Sequence, residues 1–196
     1  MQNFLPTLLL LITTVTATPT PIDLVRRECK YLAPSAIDIL SESNPDTPSL
    51  GNHFSLSHEA NPSRNTETVA LTFTDIPATA SGCVLQLAIP KLTHENEIAS
   101  GTATQAEIWK TNPWTHDDAP TWSHPPHKDR MVSTTGFPTE VTDEKDVRWL
   151  ASDTCSETMS YYVELSDWQN SEGDVDFENH VDGGDGDLGF RMVYGC

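Results

Sequence analysis

Positive charge is scarce in this chain. Eleven Lys and Arg stand against 29 Asp and Glu, a formal net charge of −18 over 196 residues. Such a surface repels phosphate backbones and anionic lipid faces, which argues against nucleic-acid and membrane partners. The simplest use of the acid is solubility. No Asn-x-Ser/Thr acceptor occurs, so N-glycosylation is not available for that purpose. Gly-x-Ser-x-Gly, His-Glu-x-x-His and a phosphate-cradling Gly-rich loop are also missing. Their absence removes the usual signatures of α/β-hydrolases, zinc peptidases and nucleotide-binding enzymes. Without Cys-x-x-Cys, neither a zinc knuckle nor a thioredoxin-like site is expected. Long apolar runs are lacking too. The run from Phe4 to Ile12 falls short of the ~20 residues a membrane span needs. The ending Gly189 to Cys196 is too short and polar for a glycolipid anchor.

What is present begins with an export signal. The Phe4–Ile12 run is followed by Val15-Thr16-Ala17, which reads as a signal-peptidase site, and then by the dibasic pair Arg26-Arg27. One departure is that no Lys or Arg precedes the run. The reading is a signal peptide over 1–17, a short pro-segment over 18–27 and one domain over 28–196. Removing residues 1–27 takes away two positive charges and one negative, leaving −19. An exported chain with four cysteines, Cys29, Cys83, Cys155 and Cys196, is expected to hold two disulfides. Three connectivities are open. The expected one pairs Cys83 with Cys155 and Cys29 with Cys196, tying the termini together.

Pro and Ser punctuate residues 34–49, and regular periodicity begins near Leu50. From there, alternation marks strands at His53–Ser57, Val69–Thr74 and Cys83–Ile89. Further strands are expected at Thr104–Lys110, Arg130–Thr134, Ser160–Leu165 and Leu188–Tyr194. Asp143 to Ala151 reads as the one short helix: Thr142 would cap it, and Val147, Leu150 and Ala151 would face inward. The fold class is therefore mainly β, an antiparallel β-sandwich of jelly-roll type with one short helix and two disulfides.

Three of five tryptophans, Trp109, Trp114 and Trp122, crowd into or beside a Pro-rich loop. On a rigid loop, indole faces can stack on the C–H face of a sugar ring; the competing reading is that they plug the fold. The spacing of Trp114, Thr121, Trp122 and Pro125 resembles the disaggregatase-related β-sandwich domains, relatives of carbohydrate-binding modules, although Ala119 stands where that group has a Thr. In that group these residues are structural, so the resemblance implies fold more than ligand. A broader resemblance covers residues 50–196. The Ile76-Pro77 ending, the Gly82-Cys83-x-Leu85-x-Leu87 strand closed by Pro90, and Tyr194-x-Cys196 are similar to fungal secreted proteins of the But2 C-terminal domain family. That family is named for a yeast protein that binds a ubiquitin-like modifier. An exported chain would not meet such a partner, so the activity is not carried over.

Two metal readings follow from side-chain chemistry. His116, His124 and His127 lie close together among Asp117 and Asp118, a set that suits zinc or copper but lacks ligand spacing on a helix or strand. Asp174, Asp176, Glu178, Asp182, Asp185 and Asp187 form a Gly-hinged acidic run. Asp182, Asp185 and Asp187 are the calcium candidates, although the run fits no EF-hand or β-roll repeat. Otherwise it is a solvated hairpin tip between the last two strands. No cofactor is demanded. The leading expectation is an extracellular or cell-wall binding module, with polysaccharide as the partner class and Trp109, Trp114 and Trp122 as binding residues. The alternatives are a secreted hydrolase with a carboxylate pair the sequence does not single out, and a structural or host-interaction protein.

Overall fold

The computed structural model describes residues 28–59, 66–166 and 168–196. The expected signal peptide and pro-segment lie outside the described residues. Within them, thirteen strands build two antiparallel sheets. The smaller sheet sets β1 (Lys30–Leu32), β13 (Gly189–Tyr194), β6 (Cys83–Ile89) and β10 (Asp146–Asp153) side by side in that order. The larger one runs β7 (Ala99–Gly101), β12 (Gly173–Glu178), β4 (His53–His58), β5 (Glu67–Phe73), β11 (Met159–Leu165), β8 (Gln105–Thr111) and β9 (Lys128–Gly136). Beside these, β2 (Ala36–Ser41) pairs with β5, and β3 (Leu50–Gly51) pairs with β2. The mainly-β antiparallel expectation is met.

The inner faces of the two sheets make the core. Alternate residues of β6 (Cys83, Leu85, Leu87 and Ile89) meet Val69, Leu71 and Phe73 of β5 and Phe54 and Leu56 of β4. Phe54 lies between Phe177 and Phe190, with ring centroids 4.8 and 5.1 Å away. Each such side chain contributes roughly 1.5–3 kcal/mol through burial. Both disulfides have the expected partners. Cys83–Cys155 joins the start of β6 to the residues after β10, and Cys29–Cys196 closes the chain over a separation of 167 residues. Loop-entropy models assign about 4–5 kcal/mol to closures of these sizes.

Two expectations fail and a third holds only in part, each for a local reason. Asp143 to Ala151 is not a helix, because residues from Asp146 onward are strand β10, paired with β6. Its register shifts between Trp149 and Ala151, and this bulge imitates helical spacing by burying Leu150 while Val147 and Trp149 face outward. Thr142 caps nothing; its hydroxyl accepts the Leu92 N–H at 2.8 Å. The helical element among the described residues is instead a single 3-10 turn, His116–Asp118. Regular structure also begins before Leu50, with β1 and β2. Finally, only the second half of the acidic run is a hairpin tip, where the antiparallel His180–Leu188 bridge closes residues 181–187. Asp174, Asp176 and Glu178 sit on β12, and residues 179–188 cross from the larger sheet to the smaller.

That crossing is clamped at its end. The Asn179 side chain accepts the Phe190 N–H at 2.6 Å and donates to the Phe190 carbonyl at 3.2 Å. Gly189, at φ +118°, passes so close that a Cβ there would lie 2.1 Å from the same Asn179 oxygen. No other residue fits that position without moving the clamp.

Candidate functional site

The outer face of the larger sheet is the setting. Ala36 and Leu40 of β2, Ala70 of β5 and Tyr162 of β11 form an apolar floor separate from the main core. The segment 112–127 crosses this floor as a strap. Trp114 is its anchor, only 5% exposed and packed into the floor. Its backbone is held on both sides: the carbonyl accepts the Thr72 hydroxyl at 2.7 Å, and the N–H donates to Ser160 at 3.1 Å. Further along, the 3-10 turn is tied by Thr115, whose N–H and hydroxyl both donate to Asp118 at 2.6 Å. These two bonds hold the Asp118 carboxyl below the usual range. Past the turn the strap is tied at Ser123, whose N–H donates to the Pro45 carbonyl at 2.8 Å.

Where the strap leaves the sheet, a cleft of about 540 Å³ opens. Trp122, half-buried, gives it an aromatic wall, and Tyr162, only 5% exposed, lies in its floor. His58, Glu59, Glu164, Gln169 and Asn170 supply polar groups around them, and Thr66, Thr68, Leu165 and Ser166 complete the lining. Lys128 sits 5.3 Å from the Trp109 ring and 4.9 Å from the Tyr162 ring while pairing with Glu164. It thus holds both rings by cation–π attraction. The Thr68 and Ser166 hydroxyls are buried and have no hydrogen-bond partner among the described residues. Buried polar atoms are nearly always satisfied, so two orphan hydroxyls at one cleft are a local anomaly.

The expected binding residues divide. Trp109, Trp114 and Trp122 do not make an exposed row: Trp114 is a plug, Trp109 is half-buried beneath Lys128, and only Trp122 lines the cleft. Sequence reasoning missed Tyr162, Gln169 and Asn170. It also passed over Trp168, which is 63% exposed and lies between two cleft-lining residues, Ser166 and Gln169. The strand pattern around Tyr162 carried the signal, since a Tyr on the outer face of a central strand needs a cover.

Asp182, Asp185 and Asp187 do not converge. The buried Asp187 carboxylate accepts N–H bonds from Asp182, Gly183 and Gly184 at 2.9 to 3.2 Å and pairs with Arg191. Burial pushes its pKa up, but the backbone donors and Arg191 outweigh that and hold it below the usual range. Asp185 reaches outward to Lys145, and Asp182 accepts the Gly184 N–H at 2.9 Å. The strap histidines His116, His124 and His127 are all exposed. Among the described residues, no group of three or more His, Cys, Asp or Glu side chains is arranged to hold a metal ion. No described helix is long and apolar enough to cross a membrane. No protein-family model matches the chain, and comparison with curated proteins returns no relative.

Proposed function

We propose that this is an exported binding module that takes a saccharide in the cleft walled by Trp122. The supporting observation is the half-buried Trp122 indole walling one cleft, with the unpartnered Thr68 and Ser166 hydroxyls buried in the lining beside it. A sugar offers just that combination: C–H faces that stack on aromatic rings, and hydroxyls that both donate and accept. Asn170 adds an exposed planar amide of the kind that fixes ring orientation, while Gln169 is tied to the backbone of Gln105 and Thr102 and Glu164 to Lys128. Two disulfides suit an oxidising compartment, and the Phe4–Ile12 run supplies the export signal. The likeness to the But2 C-terminal domain family remains part of this proposal, resting on the strand endings at Pro77, Pro90 and Cys196; it adds no partner.

The test is retention on insoluble chitin, β-glucan and cellulose. The wild type should be depleted from solution by at least one of them, and Trp122→Ala should not. Equal recovery of both proteins in every supernatant would sink the reading. A hydrolytic reading has one specific support: Glu59 and Glu164 line the same cleft. Reducing-sugar release that disappears in Glu164→Gln would favour it over simple binding.

A further inference from the structure

Among the described residues, Asp38 is the one carboxylate placed in the floor beneath the strap rather than at the surface. It is 0% exposed, in the middle of β2. In register it lies beside Ala70, which in turn lies beside the cleft residue Tyr162. One oxygen accepts the Ser49 N–H at 2.6 Å; the other has no partner. Ser49 ends the 42–49 loop, and the Pro45 carbonyl of that loop holds the Ser123 N–H, next to Trp122. The carboxyl and the cleft wall are therefore joined through one short loop, by hydrogen bonds at Ser49 and at Pro45.

We propose that Asp38 is a pH-sensitive latch for the Trp122 wall. Protonated, it lies dry under the 42–49 loop; ionised, it admits water and loosens the Pro45–Ser123 tie. A buried carboxylate with a single donor is poorly solvated, and the cheapest relief is displacement of the loop that excludes water. Burial pushes the Asp38 carboxyl up to about 6, against the smaller opposing pull of the Ser49 N–H. The change then falls in the mildly acidic range. Neighbouring charged groups have other partners or face water. Glu42 accepts the Thr66 N–H, Glu67 accepts the Ser55 hydroxyl, and Glu164 is held by Lys128. Asp118 caps its own turn, and His53 of β4 pairs with Asp176. Asp46, Asp117, His116 and His124 are exposed on the loop and strap, and half-buried His58 lies at the end of β4. Among the described residues none of these forms an ion pair with Asp38.

The latch rests on the cleft reading only for what it controls, so its test uses no ligand. Melting temperature and amide hydrogen exchange are followed from pH 4.5 to 7.5 in the wild type and in Asp38→Asn. In the wild type, the melting temperature should fall as pH rises through about 6, by at least ~3 °C more than in Asp38→Asn. The variant removes the background that all other carboxylates contribute. Exchange protection of the Ser123 amide should drop about tenfold over the same interval in the wild type alone. Parallel melting curves for the two proteins overturn the latch, and so does Ser123 protection that ignores pH. Should the variant not fold, carboxyl-carbon NMR of the wild type decides: an Asp38 titration in the ordinary carboxylate range also overturns it. Failure to retain any glycan would remove the saccharide reading and leave these outcomes unchanged.

Discussion

The two outer faces of the sandwich are covered in opposite ways. On the larger sheet, the cover is aromatic and mostly neutral: Trp114 plugs, Trp109 and Trp122 flank, and the polar ties are the Thr72–Ser160 pair and the strap backbone. On the smaller sheet, the cover is ionic. The Arg191 side chain lies 8% exposed between Gln86, which it meets at 3.0 Å, and the Asp187 carboxylate. Tyr31 lies over the guanidinium at 4.6 Å, and Gly183, at φ +93°, packs against the Tyr31 ring. The first face leaves a cleft with unsatisfied hydroxyls. On the second, Arg191 and Asp187 are held in a paired network. Orphan polar groups mark where a ligand is expected, and a satisfied network marks structure.

Breaking each cover should separate the two. Asp187→Ala should have the largest effect, since it leaves Arg191 buried without its counter-charge and frees three backbone N–H groups. A loss of about 3–5 kcal/mol is expected, read from urea unfolding at pH 7. Replacing both Asp187 and Arg191 by Leu should recover part of that loss. If the double variant is no better than the single one, the charge-pair account is wrong. Trp114→Ala should cost about 3 kcal/mol by opening a cavity under the strap, and it should abolish glycan retention indirectly. Millimolar calcium should shift the melting temperature by less than ~1 °C, because Asp187 is already engaged by Arg191 and backbone donors. A larger shift would reopen the metal reading of the acidic loop.

The faces should also titrate in opposite directions. Asp187 has a lowered pKa, so its stabilisation is complete at neutral pH and fades as pH falls below the usual carboxylate range. Asp38 has a raised pKa of about 6, so its penalty is complete above that value and fades as pH falls toward the unfolded value of 3.8. The penalty amounts to about 3 kcal/mol at most. Stability should therefore peak on the acid side of neutrality. Asp187→Asn should erode the acid limb of the profile and Asp38→Asn the neutral limb, as read from unfolding midpoints across pH.

How much of this was legible in the sequence depends on what covers each strand. β6 was read to the residue, because Cys83, Leu85, Leu87 and Ile89 alternate cleanly toward the core. β2 was missed for the opposite reason. It is covered on both faces, so Ala36-Ile37-Asp38-Ile39-Leu40 shows no simple alternation and places a carboxylate inside. β12 does alternate, with Val175 and Phe177 inward and Asp174, Asp176 and Glu178 outward, but its acids suggested a loop. β10 was disguised by its bulge. The cleft was illegible for a different reason: His58, Trp122, Tyr162 and Gln169 come together only through strand order, which no local pattern encodes.

Trp122→Ala should cost only about 1 kcal/mol, since this indole is half-buried and walls a cleft rather than filling the floor. Its loss of glycan retention should therefore appear in a protein that still melts cooperatively, unlike Trp114→Ala. The smallest effect belongs to the other face. Trp149 on β10 is 69% exposed and lines neither the cleft nor the ionic network. Trp149→Ser should change the unfolding free energy by less than about 0.5 kcal/mol and leave glycan retention untouched. If Trp149→Ser instead weakens retention as much as Trp122→Ala, the ligand lies across the smaller sheet, and the contrast between an open face and a closed one is assigned the wrong way round.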